Sequence, residues 1–92
     1  MTRTALIGII VENEDAVEKL NSLLHEYRKS IIGRMGVPHP QKSLSIISIA
    51  MEADQDEISA LSGKLGALEG VSTKTIYSKN WIMKTNYKPM GR

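Results

Sequence analysis

Apolar residues fall in four short runs separated by two longer periodic stretches. Ala5-Leu6-Ile7-Gly8-Ile9-Ile10-Val11 is a β-branched run, apolar at odd and even positions alike, and reads as a buried strand. Asn13 follows as a helix N-cap, its side-chain oxygen placed to accept from first-turn amides, and Glu14 and Asp15 stand where the helix dipole favours negative charge. Val17, Leu20, Leu24 and Tyr27 then make one apolar stripe on a helix running to about Tyr27. Ser30 to Val37 is a second strand, interrupted by glycine, and Val37-Pro38-His39-Pro40-Gln41-Lys42 is a turn, since each proline pushes its predecessor out of helical geometry. Ser43 to Met51 is a third strand, apolar on both faces. Asp54-Gln55-Asp56-Glu57 resembles a capping box with Asp54 as cap, and Ile58, Leu61, Leu65 and Leu68 repeat the stripe of the first helix. Gly70 is placed as the left-handed residue that ends this helix, and Val71 to Ser78 alternates as a fourth strand.

The order βαββαβ predicts an α+β, ferredoxin-like fold: a four-stranded antiparallel sheet with two helices on one face. The other face is then bare, and its composition is the informative feature. Strand one offers Ala5, Ile7, Ile9 and Val11 on one side and Leu6, Gly8 and Ile10 on the other; strand three offers Leu44, Ile46 and Ala50 against Ile47, Ile49 and Met51. An antiparallel sheet with one wet face should alternate apolar with polar. Two apolar faces therefore predict a homo-oligomer, dimer or tetramer, covering about 800 Å² per partner. Ile7, Ile9, Ile46 and Ile47 are core or interface candidates, and alternation alone does not say which parity faces the helices.

Composition bounds what else is available. Ninety-two residues fit one domain, expected over residues 1–79, with residues 80–92 as a basic tail. The tail is either a frayed terminus or a segment that docks Trp81 and Tyr87 on another subunit. With no Phe and one Trp, aliphatic residues must fill the core, and with no Cys there are no disulfides, thiolate metal sites or cysteine catalysis. The net charge of +2 conceals a body, residues 1–78, at −2 and a C-terminal stretch, residues 79–92, at +4. A nucleic-acid-binding body would carry a basic face, so direct nucleic-acid binding is not expected. The apolar run from Ala5 to Val11 is too short for a signal peptide or a membrane span, and the chain is expected to be soluble and cytoplasmic.

Few residues could carry chemistry. His25 and His39 are the two histidines, on separate elements and without a His-x-His pair, and His25 reads as a half-exposed helical residue rather than a metal ligand. No serine lies in a nucleophile-elbow context, and the carboxylates cluster at helix N-termini, where capping explains them. No enzyme and no cofactor is therefore expected. Ser62-Gly63-Lys64-Leu65-Gly66 lacks the Walker spacing and interrupts a helix, so its glycines should be compensated by close approach of the helix to a neighbour. Arg28, Lys29 and Arg34 form a small basic cluster that reads as a solvated edge.

Ala60-Leu61-Ser62-Gly63-Lys64-Leu65-Gly66, with Gly70-Val71 and Lys74-Thr75, and Leu23-Leu24-His25-Glu26-Tyr27 through Gly36, resemble a family of small regulators of iron-only hydrogenase systems, over about residues 3–79. The resemblance implies an ACT-like, ferredoxin-like fold similar to the C-terminal domain of the nickel-responsive repressor, a module that there oligomerises and senses metal. Aligned on His25-Glu26-Tyr27, His25 falls where that repressor supplies one nickel ligand. Its next His-x-His falls on Gly36-Val37-Pro38, and its cysteine ligand has no counterpart, so the nickel site is not carried over. The leading expectation is a non-enzymatic, effector-sensing and oligomerising regulatory module. A small-molecule effector would use His25, Arg28 and the loop from Gly36 to His39. The alternative is a metal-binding protein using His25 and His39 with carboxylates at a subunit interface.

Overall fold

A computed structural model of the chain describes residues 1–79; the tail, with Trp81 and Tyr87, lies outside the described residues. The elements are β1 (Arg3–Val11), a short 3-10 turn over Glu14–Ala16, α1 (Val17–Glu26), a second 3-10 turn over Arg28–Ser30, β2 (Ile31–Pro38), β3 (Ser45–Ala53), α2 (Gln55–Gly66) and β4 (Val71–Tyr77). The four strands form one sheet in the order β2-β3-β1-β4, every neighbour antiparallel. This is the ferredoxin-like α+β arrangement. Each helix carries the chain from one strand to another that is not its neighbour, so both helices lie over the same face.

Parity along the two central strands is resolved by burial. Ala5, Ile7, Ile9 and Val11 of β1 and Ile47, Ile49, Met51 and Ala53 of β3 face the helices and are buried with Leu20 and Leu24 of α1 and Ile58, Leu61 and Leu65 of α2. Among the described residues no polar side chain is buried, so the core is held by aliphatic packing alone. Ile7, Ile9 and Ile47 thus belong to this core. Ile46 lies on the opposite face, paired with Ile10. Val17, the first member of the α1 stripe, remains 40% exposed.

Strand ends differ from the sequence expectation by one or two residues, for hydrogen-bonding reasons. Leu44 is not in β3, because its carbonyl accepts from the His39 amide at 2.9 Å and closes the β2–β3 loop. β3 continues to Ala53 because β1 begins at Arg3, which pairs with it. β2 carries an irregularity between Ile31 and Gly33, where Ile32 is an extra residue in the ladder.

The caps divide. Asn13 Oδ1 accepts from the Asp15 amide at 3.0 Å, as expected of an N-cap. Asp54 occupies the N-cap position of α2 but makes no side-chain cap hydrogen bond, so the capping box does not form. Its carboxylate instead faces the chain's amino terminus at 3.8 Å, and Glu57 turns to accept from the Ser30 hydroxyl at 2.6 Å. Gly70 is left-handed, with φ +79°, but it does not end α2, whose C-cap is Ala67; it lies in the turn before β4, where a Cβ would stand 2.5 Å from Asn13 Cβ. Of the two helical glycines, Gly66 has the expected close approach, 3.2 Å from a built Cβ to Thr73 Oγ1, whereas Gly63 faces open space.

One ion pair links the helices. Lys64 Nζ lies 5.3 Å from the centre of the Tyr27 ring and 3.9 Å from Glu26 Oε2. The Tyr27 hydroxyl, by hydrogen bonding and then by charge, and after it Glu26, hold this ammonium above the ordinary lysine value of 10.5.

Candidate functional site

The helix-free face of the sheet is apolar across three strands. β1 contributes Leu6, Gly8 and Ile10; their β3 partners are Ala50, Ser48 and Ile46, and their β4 partners Ile76, Lys74 and Ser72. β2 adds Gly33, Met35 and Val37 opposite Ala50, Ser48 and Ile46. Nine large hydrophobic residues are exposed among the described residues, and the register puts six of them on this face: Leu6, Ile10, Met35, Val37, Ile46 and Ile76; Ile32, at the irregularity in β2, is exposed beside them in the chain. Scattered aliphatics on a surface need no explanation, but a contiguous set on one face does. Gly8, Ser48 and Ser72 leave a depression of about 360 Å³ beside the ridge of Ile10 and Ile46. Lys74 is the charge nearest its floor.

On the opposite side, the helices do not reach the β2 edge. Arg34 and Gly36 pair with Ile49 and Ile47, so they sit on the helix side of the sheet, yet both are exposed. The gap between α1 and β2 forms a chain of three pockets. The first, about 330 Å³, is lined by Asn21, Leu24, His25, Arg28, Ile31 and Arg34. The second, about 220 Å³, shares Asn21 and Arg34 with the first and continues over Leu20, Val17, Gly36 and Ile47. The third, about 200 Å³, shares Val11, Val17, Pro38 and Ser45 with the second and includes His39 and Lys42.

His25 and Arg28 therefore share one pocket, Gly36 lines the next, and His39 the last. The expected effector residues lie along one groove without converging. Arg34 and Asn21, which sequence reading did not assign to a site, join His25 and Arg28; the sequence signal was the basic cluster around the start of β2.

Within one chain His25 and His39 line different pockets. Among the described residues no three His, Asp or Glu side chains are grouped to hold a metal ion. His25 stands beside two guanidiniums, which repel a cation, and His39 Nδ1 already accepts from the Gln41 amide at 3.0 Å. Gly36-Val37-Pro38 supplies no side-chain donor. Among the described residues no helix is long and apolar enough to cross a membrane.

Fold and surfaces together define a small ferredoxin-like α+β domain that presents an apolar sheet face on one side and a groove with basic walls on the other. Residues 3–75 match the model of the TM1266-like family, described as "Iron-only hydrogenase system regulator, putative", and the chain belongs to that family. A solved structure of TM1266 from Thermotoga maritima superposes with a TM-score of 0.82 at 38% identity, covering 86% of this chain and all of that one. Two curated relatives, each named "Putative nickel-responsive regulator", are from Saccharolobus solfataricus, 30% identical over 66 residues, and Saccharolobus islandicus, 29% identical over 66 residues. Each match covers 72% of this chain and 49% of the relative, so the chain spans about half the length of these curated proteins.

Proposed function

We propose that the chain is a non-enzymatic regulatory module for an iron-only hydrogenase system, working as a homodimer or tetramer joined through the helix-free sheet face and answering to a small effector. The observation that carries this reading is the six large apolar side chains gathered on that face. Left in water they forgo roughly 25 cal/mol for every Å² of apolar surface that a partner could cover. A second copy supplies matching shape: the Ile10–Ile46 ridge of one sheet opposes the Gly8–Ser48 depression of the other. The family description supports the regulatory part of the reading.

Native mass spectrometry tests it. The wild type should give an even-numbered oligomer, and Ile46→Lys, which places a charge in the middle of the patch without touching the core, should give a folded monomer. A wild-type monomer at tens of micromolar would refute assembly through this face.

A further inference from the structure

Two arginines stand in the first pocket of the groove without a counter-charge. Arg34 leaves β2 on the helix side of the sheet and donates to Asn21 Oδ1 at 3.0 Å, bridging the gap to α1. Arg28, in the turn after α1, folds back and donates to the His25 carbonyl at 2.9 Å. Both are held by neutral acceptors, and among the described residues neither pairs with a carboxylate. No acidic side chain lines the pocket. Each guanidinium has five N–H donors, of which these contacts occupy few. An arginine anchored by one hydrogen bond is partly ordered in advance, so less side-chain entropy is lost when it takes a ligand. The Asn21 side-chain amide and the His25 imidazole add further polar groups, while Leu24 and Ile31 give the pocket an apolar wall.

We propose that this pocket binds a small organic acid, its carboxylate or phosphate held between Arg28 and Arg34 and its apolar body laid on Leu24 and Ile31. The volume of about 330 Å³ is at the lower end of the roughly 300–1,000 Å³ of small-molecule sites, which suits a ligand of metabolite size. The second pocket, reached past Arg34 and Asn21 and walled by Leu20, Val17 and Ile47, gives a longer apolar body somewhere to go. The inference rests on the regulatory reading for its purpose, since it supplies the effector, but its geometry is independent of the sheet face.

The test is a titration followed by two-dimensional amide NMR, with three probes: isovalerate, which joins a carboxylate to a branched apolar body; inorganic phosphate; and isoamyl alcohol, the same body without the charge. Isovalerate should shift amides of residues 21–34 saturably and bind at least about tenfold more tightly than either other probe. Arg28→Gln and Arg34→Gln should each weaken it by at least about tenfold, as loss of a charge-assisted hydrogen bond requires, while the spectrum stays dispersed and the subunit number unchanged. Phosphate binding as tightly as isovalerate would overturn the organic-acid assignment. Absence of saturable shifts, or affinity unchanged in both variants, would overturn the site. A monomeric protein that still binds isovalerate would sink the assembly reading and leave this one standing.

Discussion

At Gly70 two constraints coincide, a left-handed backbone and a wall made by Asn13. A methyl group there meets Asn13 Cβ at 2.5 Å, and L residues pay about 1–2 kcal/mol for the left-handed region alone. Gly70→Ala should therefore lose at least about 2 kcal/mol in urea unfolding, because Asn13 is held in turn by its cap to Asp15 and cannot step aside. Gly63 is the opposite case. With open space at its Cβ, Gly63→Ala should gain up to about 1 kcal/mol from helix propensity alone. Both glycines stand out in the sequence equally; the difference lies in a neighbour 50 or more residues away, which local pattern does not carry. Lys64 gives a pH signature. Its folded pKa is raised, so its contribution is complete below 10.5 and disappears as pH climbs through the higher folded value. Lys64→Met should remove that part of the alkaline decline, measured as the urea midpoint between about pH 9 and 12.

Among elements, β1 and β3 were legible as short β-branched runs and α1 and α2 as apolar stripes at helical spacing, although the runs themselves left open which parity faces the helices. The capping box was legible and did not form. The Ser30 hydroxyl competes for Glu57, and a charge-assisted bond at 2.6 Å between the turn that precedes β2 and the first turn of α2 outweighs a reciprocal cap that needs Asp54 oriented inward. Ser30→Ala should cost about 1–2 kcal/mol and increase hydrogen exchange at the start of β2 more than elsewhere. The groove was half legible. His25 and Arg28 are near neighbours on one helical turn and its exit, so sequence distance placed them together. Arg34 joins them only because of how β2 is registered on β3, and His39 is kept away by the length of β2 itself.

For the whole molecule, one layer of helices over four strands leaves a sheet with two unlike outer surfaces, and in the proposed assembly the apolar one joins the subunits. Because that contact is aliphatic, with Lys74 as its nearest charge, its dissociation constant should change by less than about tenfold between roughly 0.1 and 1 M salt, checked by sedimentation equilibrium. An interface held by ion pairs would weaken far more. Which β2 residues join that surface depends on a single position. Ile31 points into the core, Ile32 is the extra residue, and beyond it Arg34 is turned toward the helices while Met35 and Val37 are turned away. Side chains alternate with a period of two, so if Ile32 were paired in the ladder instead of bulged out of it, everything downstream would change sides, as after a frameshift in a reading frame. Arg34 would arrive on the apolar surface as Met35 and Val37 leave it. The bulge thus keeps the charge on the groove side and the grease on the other, whereas removing Ile32 outright leaves Gly33 opposite Ala50 and both surfaces as they are.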